Sequence, residues 1–375
     1  MAKRVILAVA GAGKTYHICN AINPGQRNLI LAFTHENIHN IQNELCVAHG
    51  RIPKYTTIQT FHSFVYHHLI LPYEASIATH FGQPNFVGRG ISTIDPPKQN
   101  KTKDGFRYAN PEYVKKDQIR HYITKNDQYY CSTLSELALT IKTGKESLIK
   151  KAANRLNLFY DNILIDEFQD FREHNYELII KLSKHLKEIV LVGDYFQHSV
   201  SATNNTGKPF KKRKNFVSYD DFIEELKNLK FNIDTTSLDE SRRCSHEICD
   251  FVSRKLGISI NSSGMNQGSI FWVNEDQAQT IIENPEIKKL TYDEASKYTF
   301  DATNWSYSKG DTFDKACVIL TNGLENLSED DFSKETLQQI TLNKLYVALT
   351  RSKGDLYLLK SSIFKKIKSK YAKTN

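Results

Sequence analysis

The feature that most constrains the fold is a phosphate-binding loop near the start of the chain. Residues 8–15 read A-V-A-G-A-G-K-T and directly follow the apolar run Val5, Ile6 and Leu7. A loop of this kind joins a β-strand to a helix, and its backbone N–H groups wrap nucleotide phosphates at the positive helix end. The sequence therefore predicts an α/β fold, with Ala8 in the place where the pattern normally opens on glycine.

A second apolar run, at residues 163–165, ends in the acidic sequence D-E-F-Q-D at residues 166–170. Acids at the end of a strand can complete the Mg²⁺ site of a phosphate loop. Asp166 would ligate the metal with the Thr15 hydroxyl, Glu167 would polarise an attacking water, and Lys14 would neutralise phosphate charge. The two segments together indicate a nucleotide hydrolase that uses ATP and Mg²⁺.

Length and composition set outer limits on this interpretation. A chain of 375 residues suits two or three domains. Its net charge of +8 is compatible with a polyanionic partner. The six cysteines include no C-x-x-C pair, which argues against a zinc site or a disulfide framework and favours a reducing compartment. With no signal peptide and no membrane-spanning run in the sequence, we expect a cytoplasmic location and no membrane partner.

Short apolar runs alternate with helical patterns, as in parallel α/β sheets. The predicted strands lie at residues 5–9, 29–33, 163–165, 189–192, 316–320 and 356–359, and the clearest helices at 36–48 and 173–186. Ligands bind beyond the carboxyl ends of such strands. We therefore expect the phosphate loop, Thr34, the acids at 166–167 and Gly193-Asp194 to contribute to one site. The proline-containing residues 72–130 interrupt the alternation and predict an irregular insertion.

Eight short segments, in this order, resemble the motifs of a superfamily 1 helicase of the UvrD/Rep/PcrA type. They are A-V-A-G-A-G-K-T (motif I), L-A-F-T at 31–34 (Ia), T-F-H-S-F at 60–64, D-E-F-Q-D (II), V-G-D at 192–194 with Gln197 (III), L-D-E-S-R-R-C at 238–244 (IV), S-K-G at 308–310 with Phe313-Asp314 (V) and L-Y-V-A-L-T-R-S-K at 345–353 (VI). The resemblance implies two RecA-like lobes with ATP between them.

The resemblance also assigns roles to single residues. Gln197 would sense the γ-phosphate, and Arg243 and Arg351 would stabilise charge that develops on the phosphoryl oxygens. Arg242 is an alternative to Arg243 as the inward-pointing arginine of motif IV. The remaining nucleotide-binding residues would be Gly11, Ala12, Gly13, Lys14, Thr15, Gln169, Lys309 and Gly310.

Single-stranded DNA would cross both lobes, held by base stacking and backbone contacts. His62 and Thr34 are the candidates for backbone contacts. For Phe61 and Phe64, packing in the core is the alternative to stacking. The candidate stacking residues are Phe33, Phe61, Phe64, Trp305 and Tyr307.

The chain also departs from the family pattern. No glutamine motif precedes motif I, so adenine would be read loosely, and Arg242 occupies the usual aromatic position of motif IV. Thr312 replaces a glutamate in motif V, and that K-G-x-T-F-D spelling leans towards the Dda/RecD side, which moves in the opposite direction. Motifs II and VI favour the UvrD side, and hence 3′→5′ movement.

The spacing of the motifs predicts a compact motor. Residues 1–71 and 155–235 would form the first RecA-like lobe, 72–154 a small accessory insertion, and 236–375 the second lobe. Too few residues separate Arg243 from Lys309 to hold the 2B domain of UvrD-type enzymes, and too few follow motif VI for a fused nuclease.

Three functions fit the sequence at this stage. The leading one is an ATP-dependent translocase or helicase on single-stranded DNA. The second is a DNA-stimulated ATPase that serves as a subunit or sensor, for example beside a nuclease in DNA repair or phage defence. The third, an unrelated kinase or GTPase, is disfavoured because such an enzyme has no use for motifs IV to VI.

Overall fold

The computed structural model describes residues 2–103, 106–143, 146–198, 207–213 and 215–373. The helices are α1 (Lys14–Ala21), α2 (His35–His49), α3 (Phe61–Val65), α4 (Glu74–His80), α5 (Leu134–Thr140), α6 (Leu148–Phe159), α7 (Glu173–Ser183), α8 (Tyr219–Asn228), α9 (His246–Leu256), α10 (Glu275–Glu283), α11 (Gln339–Leu349) and α12 (Ser361–Ile367).

The strands fall into two larger sheets and several two-stranded pairs. They are β1 (Ala2–Leu7), β2 (Asn28–Ala32), β3 (Thr56–Thr60), β4 (Ile91–Ser92), β5 (Asn100–Lys103), β6 (Phe106–Ala109), β7 (Tyr129–Tyr130), β8 (Lys142–Thr143), β9 (Glu146–Ser147), β10 (Asn162–Ile165), β11 (Glu188–Gly193), β12 (Lys211–Lys212), β13 (Asn215–Phe216), β14 (Asn232–Asp234), β15 (Glu240–Ser241), β16 (Asn261–Ser262), β17 (Ile270–Val273), β18 (Ile287–Thr291), β19 (Ala302–Asn304), β20 (Lys315–Ile319) and β21 (Leu356–Leu359).

The chain divides into two compact units. Unit 1 comprises Met1–Arg4, Ile18–Glu167 and Phe171–Leu191, and unit 2 comprises Val5–His17, Phe168–Asp170 and Val192–Asn375. These units group residues by proximity. The predicted boundaries 1–71, 72–154, 155–235 and 236–375 stay a prediction.

Unit 1 is organised by parallel strands of a sheet whose full order is β14-β1-β11-β10-β2-β3. Strand β10 pairs in parallel with β11 on one side and with β2 on the other, and β2 pairs in parallel with β3. All five residues of β2 are buried, as expected for a strand covered on both faces. Thr34 then begins α2 by accepting a hydrogen bond from the Asn37 N–H.

Among the described residues of the predicted insertion, the regular structure is mainly α4, α5, the first half of α6 and three strand pairs. The pairs are β4 with β7, β5 with β6, and β8 with β9, each two-stranded. In the antiparallel hairpin, Lys101 lies opposite Tyr108. This agrees with the irregular character expected from its prolines.

Unit 2 is built on a five-stranded sheet of order β17-β21-β20-β18-β19, in which every pair of neighbours is parallel. Trp305, Tyr346 and helix α9 contribute to a hydrophobic core on this sheet. The α/β prediction is confirmed, because both larger sheets have parallel cores. Among the described residues, no helix has the length and apolar character needed to cross a membrane.

Candidate functional site

The phosphate loop lies between the end of β1 at Leu7 and the start of α1 at Lys14. Two glycines in it, Gly11 and Gly13, adopt φ values of 76° and 82°, which glycine reaches at little cost. The Ala8 N–H donates to the Gly193 carbonyl at 2.8 Å, so the position that usually holds glycine is fixed to motif III by the backbone. The two glycines and this hydrogen bond fix the turn between β1 and α1, and its binding of phosphate stays a prediction.

Both arginines of motif IV reach this loop. A Cβ atom added to Gly11 would lie 2.7 Å from the Cβ of Arg243, so a glycine is required for the approach. The Arg243 guanidinium donates to the Thr350 carbonyl at 3.2 Å. The neighbouring Arg242 is exposed, and its guanidinium lies 4.4 Å from the ring centroid of Tyr16. Arg243 therefore approaches Gly11 within the loop, whereas Arg242 lies over Tyr16, just after the loop.

A buried hydrogen-bond chain connects four of the motifs. The Ala10 N–H donates to the Tyr346 hydroxyl at 2.8 Å, and that hydroxyl donates to Asp194 Oδ2 at 3.2 Å. Gln197 Nε2 donates to the same carboxylate oxygen at 2.8 Å, and Gln169 Oε1 accepts from the Asp194 N–H at 3.0 Å. Burial, with Asp194 nearby, raises the pKa of Tyr346 well above its ordinary value, so the phenol stays protonated.

Arg351 of motif VI is buried in unit 2. Its Nε donates to the Val347 carbonyl at 2.8 Å, and its Nη1 lies 3.4 Å from the carbonyl oxygens of Ser308 and Asp311. Burial, and to a lesser extent Arg243, lowers the pKa of Arg351 to about 9, which still leaves the guanidinium charged at neutral pH. A contact with the γ-phosphate would require it to exchange these carbonyl partners, and that role stays a prediction.

The acids of motif II follow β10 without a break. Asp166 is buried, and its Oδ1 accepts the Glu167 N–H at 2.8 Å. Glu167 is half-buried and has a φ of 52°, a left-handed conformation that side chains other than glycine rarely adopt. Asp166 and Thr15 both carry oxygen donors, which are the ligands that Mg²⁺ prefers.

Lys309 of motif V makes a tight ion pair. Its ammonium contacts both carboxylate oxygens of Asp170, at 2.6 and 2.7 Å, and both side chains are mostly buried. The prediction that Lys309 binds nucleotide therefore has to account for a carboxylate already in contact with it. The adjacent Gly310 is exposed, with a φ of 96°.

Three predicted stacking residues are core residues in this structure. Phe61 and Phe64 are buried on the same side of α3, and Trp305 is buried with its Nε1 donating to the Leu290 carbonyl at 3.1 Å. None of these rings offers a face to a base, so the stacking prediction is wrong for them. For Phe61 and Phe64, the alternative of core packing is correct.

The other nucleic-acid candidates remain accessible. Phe33 is half-buried at the end of β2, with its ring in edge contact with His62 at 5.4 Å and Phe171 at 5.5 Å. Burial lowers the pKa of His62 and keeps its imidazole neutral at pH 7. Thr34 and Tyr307 are exposed, Tyr307 by 71%.

Sequence reasoning missed the roles of two tyrosines. Tyr346 lies inside motif VI, but no local signal indicates that its hydroxyl meets Ala10, which is 336 positions away. Tyr16 directly follows the G-K-T of the phosphate loop. Only the fold shows that its exposed aromatic ring lies beside Arg242 of motif IV.

Two family models match the sequence, each over more than half of the chain. An AAA domain model matches residues 2–203, and the model of the viral superfamily 1 RNA helicase core domain matches residues 142–360. No curated protein matches the chain.

Solved helicase structures are similar in fold at low sequence identity. The complex of Arterivirus nonstructural protein 10 (helicase) with DNA is 13% identical, with 95% of this chain and 60% of that chain covered and a TM-score of 0.45. The PRRSV helicase is 14% identical, with 99% and 55% covered and a TM-score of 0.44. This chain thus spans somewhat more than half the length of those helicases. On the two family matches, the chain belongs to the superfamily 1 helicases, with an AAA domain and a viral-type superfamily 1 helicase core.

Proposed function

We propose that the chain is an ATP-driven translocase or helicase that moves on single-stranded DNA. The observation that carries this proposal is the buried chain from Ala10 through Tyr346 to Asp194 and Gln197. It joins the phosphate loop to the γ-phosphate sensor and to motif VI by direct hydrogen bonds. A change at the phosphates would therefore be transmitted to the helix that carries Arg351.

The proposed chemistry divides among few residues. Lys14 and the loop backbone would hold the phosphates, and Thr15 and Asp166 would hold Mg²⁺, which supplies charge neutralisation when bound. Glu167 would orient and polarise the attacking water. Gln169 and Gln197 would report the state of the γ-phosphate, while Arg243, Arg351 and Lys309 beside Gly310 would supply positive charge.

The nucleotide base would be held by stacking. The Tyr16 ring with Arg242 beside it is next to the loop, and a guanidinium stacks on any base. Such a contact does not read the hydrogen-bonding edge of the base. This supports hydrolysis of several nucleoside triphosphates, ATP among them.

The nucleic-acid contacts would come from Phe33, Thr34, His62 and Tyr307. A basic chain with few stacking residues predicts sequence-tolerant binding that weakens with salt. The choice of DNA over RNA is part of the proposal. One matching family model is named for viral RNA helicases, whereas one similar solved structure is a helicase bound to DNA.

The 3′→5′ polarity belongs to the proposed UvrD/Rep/PcrA likeness and stays a prediction. It is supported by motifs II and VI, whereas the Lys309–Asp314 spelling of motif V favours the opposite direction. Strand displacement from duplexes with a 3′ or a 5′ single-stranded tail distinguishes the two directions of movement.

The deciding experiment uses the purified chain alone. ATP hydrolysis is measured without nucleic acid and with single-stranded DNA, single-stranded RNA or blunt duplex, over a series of salt concentrations. Strand displacement is then measured on the two tailed duplexes, with Glu167→Gln as the inactive control. We expect hydrolysis stimulated by single-stranded DNA and displacement from a 3′ tail.

Other outcomes correct the proposal in defined ways. Stimulation without displacement would favour the second function, a DNA-stimulated ATPase subunit or sensor of a larger complex. Stimulation by RNA alone would overturn the DNA substrate. A rate indifferent to every nucleic acid would overturn the motor function altogether.

A further inference from the structure

One edge of unit 1 carries exposed apolar side chains that none of the proposed roles uses. Strands β2, β3 and β10 run parallel and begin at Asn28, Thr56 and Asn162, so their amino ends lie at one edge. We name as the amino-edge patch five residues, with their exposed fractions: Val47 (80%), Ile52 (37%), Tyr55 (50%), Leu158 (71%) and Phe159 (51%).

Hydrogen bonds hold the segments of this patch side by side. Arg27 Nη1 donates to the Leu158 carbonyl at 2.6 Å, and the N–H of the next residue, Asn28, donates to the Tyr55 carbonyl at 2.9 Å. Arg27 also pairs with Asp161 at 2.6 Å, directly after α6. The turn that carries Tyr55 and the end of α6 that carries Leu158 are therefore both held by hydrogen bonds from the segment Arg27-Asn28. Helix α2 ends beside the same edge, because β3 follows it after a short turn.

Cationic side chains alternate with the apolar ones. Lys54 Nζ lies 5.4 Å from the ring centroid of Tyr55, and the Arg155 guanidinium lies 5.2 Å from that of Phe159. Arg51 is exposed next to Ile52. Within the described part of the chain, no carboxylate forms an ion pair with Arg51, Lys54 or Arg155, whereas Asp161 is already paired with Arg27.

We propose that the amino-edge patch docks an acidic amphipathic segment of a partner protein, in which apolar residues alternate with aspartate or glutamate. Apolar groups of the segment would cover the patch, and its carboxylates would pair with the three cations. Nucleic acid fits less well, because Val47, Ile52 and Leu158 are aliphatic and cannot stack on bases. This inference is independent of the proposed motor function.

The position of the patch suits a partner that stays bound during activity. Phe33 and Thr34 follow the carboxyl end of β2, at the opposite edge of the same strands. A segment bound at the amino ends would leave these candidate nucleic-acid contacts open. We therefore expect docking at the patch to be compatible with binding of single-stranded DNA.

The test measures fluorescence anisotropy of a labelled synthetic peptide in which leucine and phenylalanine alternate with glutamate. A peptide with lysine in place of glutamate is the charge control. We expect the full chain to bind the acidic peptide, more weakly as salt rises, and not the basic one. Leu158→Glu combined with Phe159→Glu should weaken binding at least about tenfold, as for loss of a central apolar anchor.

Two further variants keep the test sharp. Arg51→Glu with Lys54→Glu changes two exposed cations, leaves the apolar side chains in place and should also abolish binding of the acidic peptide. Met265→Glu changes an apolar residue that is 70% exposed in unit 2, and it should bind like the wild type. Circular dichroism and urea unfolding check that each variant is folded.

Equal binding of the two peptides, or undiminished binding by the double variants, would overturn the proposal. Displacement of the peptide by single-stranded DNA would reassign the patch to nucleic acid. A dimer seen by sedimentation and lost in the Leu158→Glu, Phe159→Glu variant would reassign it to a second copy of the chain.

Discussion

Glu167 combines a half-buried carboxylate with a left-handed backbone at the end of β10. Holding a residue other than glycine in that region costs on the order of 1–3 kcal/mol and is found most often at functional sites. The Asp166 carboxylate stabilises the turn by accepting the Glu167 N–H. The strain supports the role proposed for Glu167 in positioning the attacking water.

Glu167→Gln should reduce ATP turnover by about 10²–10⁴-fold, because the amide keeps the size of the side chain but cannot polarise water. Binding of a fluorescent ATP analogue should be retained, since Lys14 and Thr15 are untouched. Glu294→Gln is a matched control, because Glu294 is exposed and has a φ of 61°. Turnover near the wild-type rate in Glu167→Gln would remove its assigned role.

Alanine substitutions of Phe33 and Phe61 should have different effects, the first on DNA binding and the second on stability. Phe33→Ala should weaken single-strand binding by about 1–3 kcal/mol, the contribution of one stacked base, and spare basal hydrolysis. Phe61→Ala should instead lower the free energy of unfolding by about 3–5 kcal/mol, because its ring is fully buried. Anisotropy at fixed salt and urea unfolding measure the two effects. Unchanged DNA affinity in Phe33→Ala would rule out stacking there.

These aromatic residues show where sequence reasoning reaches its limit. The motif spelling grouped Phe33, Phe61 and Phe64 as candidate stacking residues. It did not show which rings face inward. Phe61 and Phe64 lie three positions apart on α3, so one helix face carries both into the core, whereas Phe33 follows the end of β2. Side-chain direction depends on the neighbouring elements, which a short motif does not encode.

At the scale of elements, helix α11 is tied to the phosphate loop through one hydroxyl. Tyr346 accepts the Ala10 N–H and donates to Asp194, and both contacts are buried. The parallel strands and the loop glycines were predictable from apolar runs and spacing. This tie was not, because it joins residues far apart in the sequence.

Tyr346→Phe should therefore lower the free energy of unfolding by about 1–3 kcal/mol, since it leaves a buried N–H and a carboxylate oxygen without that partner. Hydrolysis should fall as well. Tyr371→Phe is the matched control, because the Tyr371 hydroxyl donates to Glu283 at 2.9 Å on a partly exposed surface. If both variants behave alike in urea unfolding and in turnover, the hydrogen bonds of the Tyr346 hydroxyl contribute nothing particular to stability or hydrolysis.

At the scale of the whole molecule, the stretch between motifs IV and V supplies ordinary parts of unit 2. It contains α9, α10 and the strands β16 to β19, which belong to the sheets and core of that unit. The absence of a 2B-like domain, expected from the short spacing in the sequence, stays a prediction. The grouping of the phosphate loop with residues 192–375 in one compact unit was not predictable from the order of the motifs.

A motor core of this kind should translocate along single strands better than it separates duplexes. In a core with no 2B-like domain between motifs IV and V, as the motif spacing predicts, unwinding should require several copies on one strand, or a partner on the insertion at residues 72–154. A single-turnover assay with a protein trap, comparing dye-reported translocation with strand separation, measures both. Fast, processive unwinding by one copy would show that the insertion at residues 72–154 is sufficient.

If Lys309 binds nucleotide as proposed, the Asp170 carboxylate competes with the nucleotide for the Lys309 ammonium, because the two side chains form an ion pair. Any phosphate that takes the Lys309 ammonium must first displace a partner that is tethered to the same molecule and never diffuses away. Asp170→Asn would remove the negative charge that competes for Lys309. Nucleotide should then bind more tightly, by about fivefold if the ion pair contributes roughly 1 kcal/mol. Titration with a fluorescent nucleotide measures this, and weaker binding would mean that Asp170 instead prepares Lys309 for its ligand.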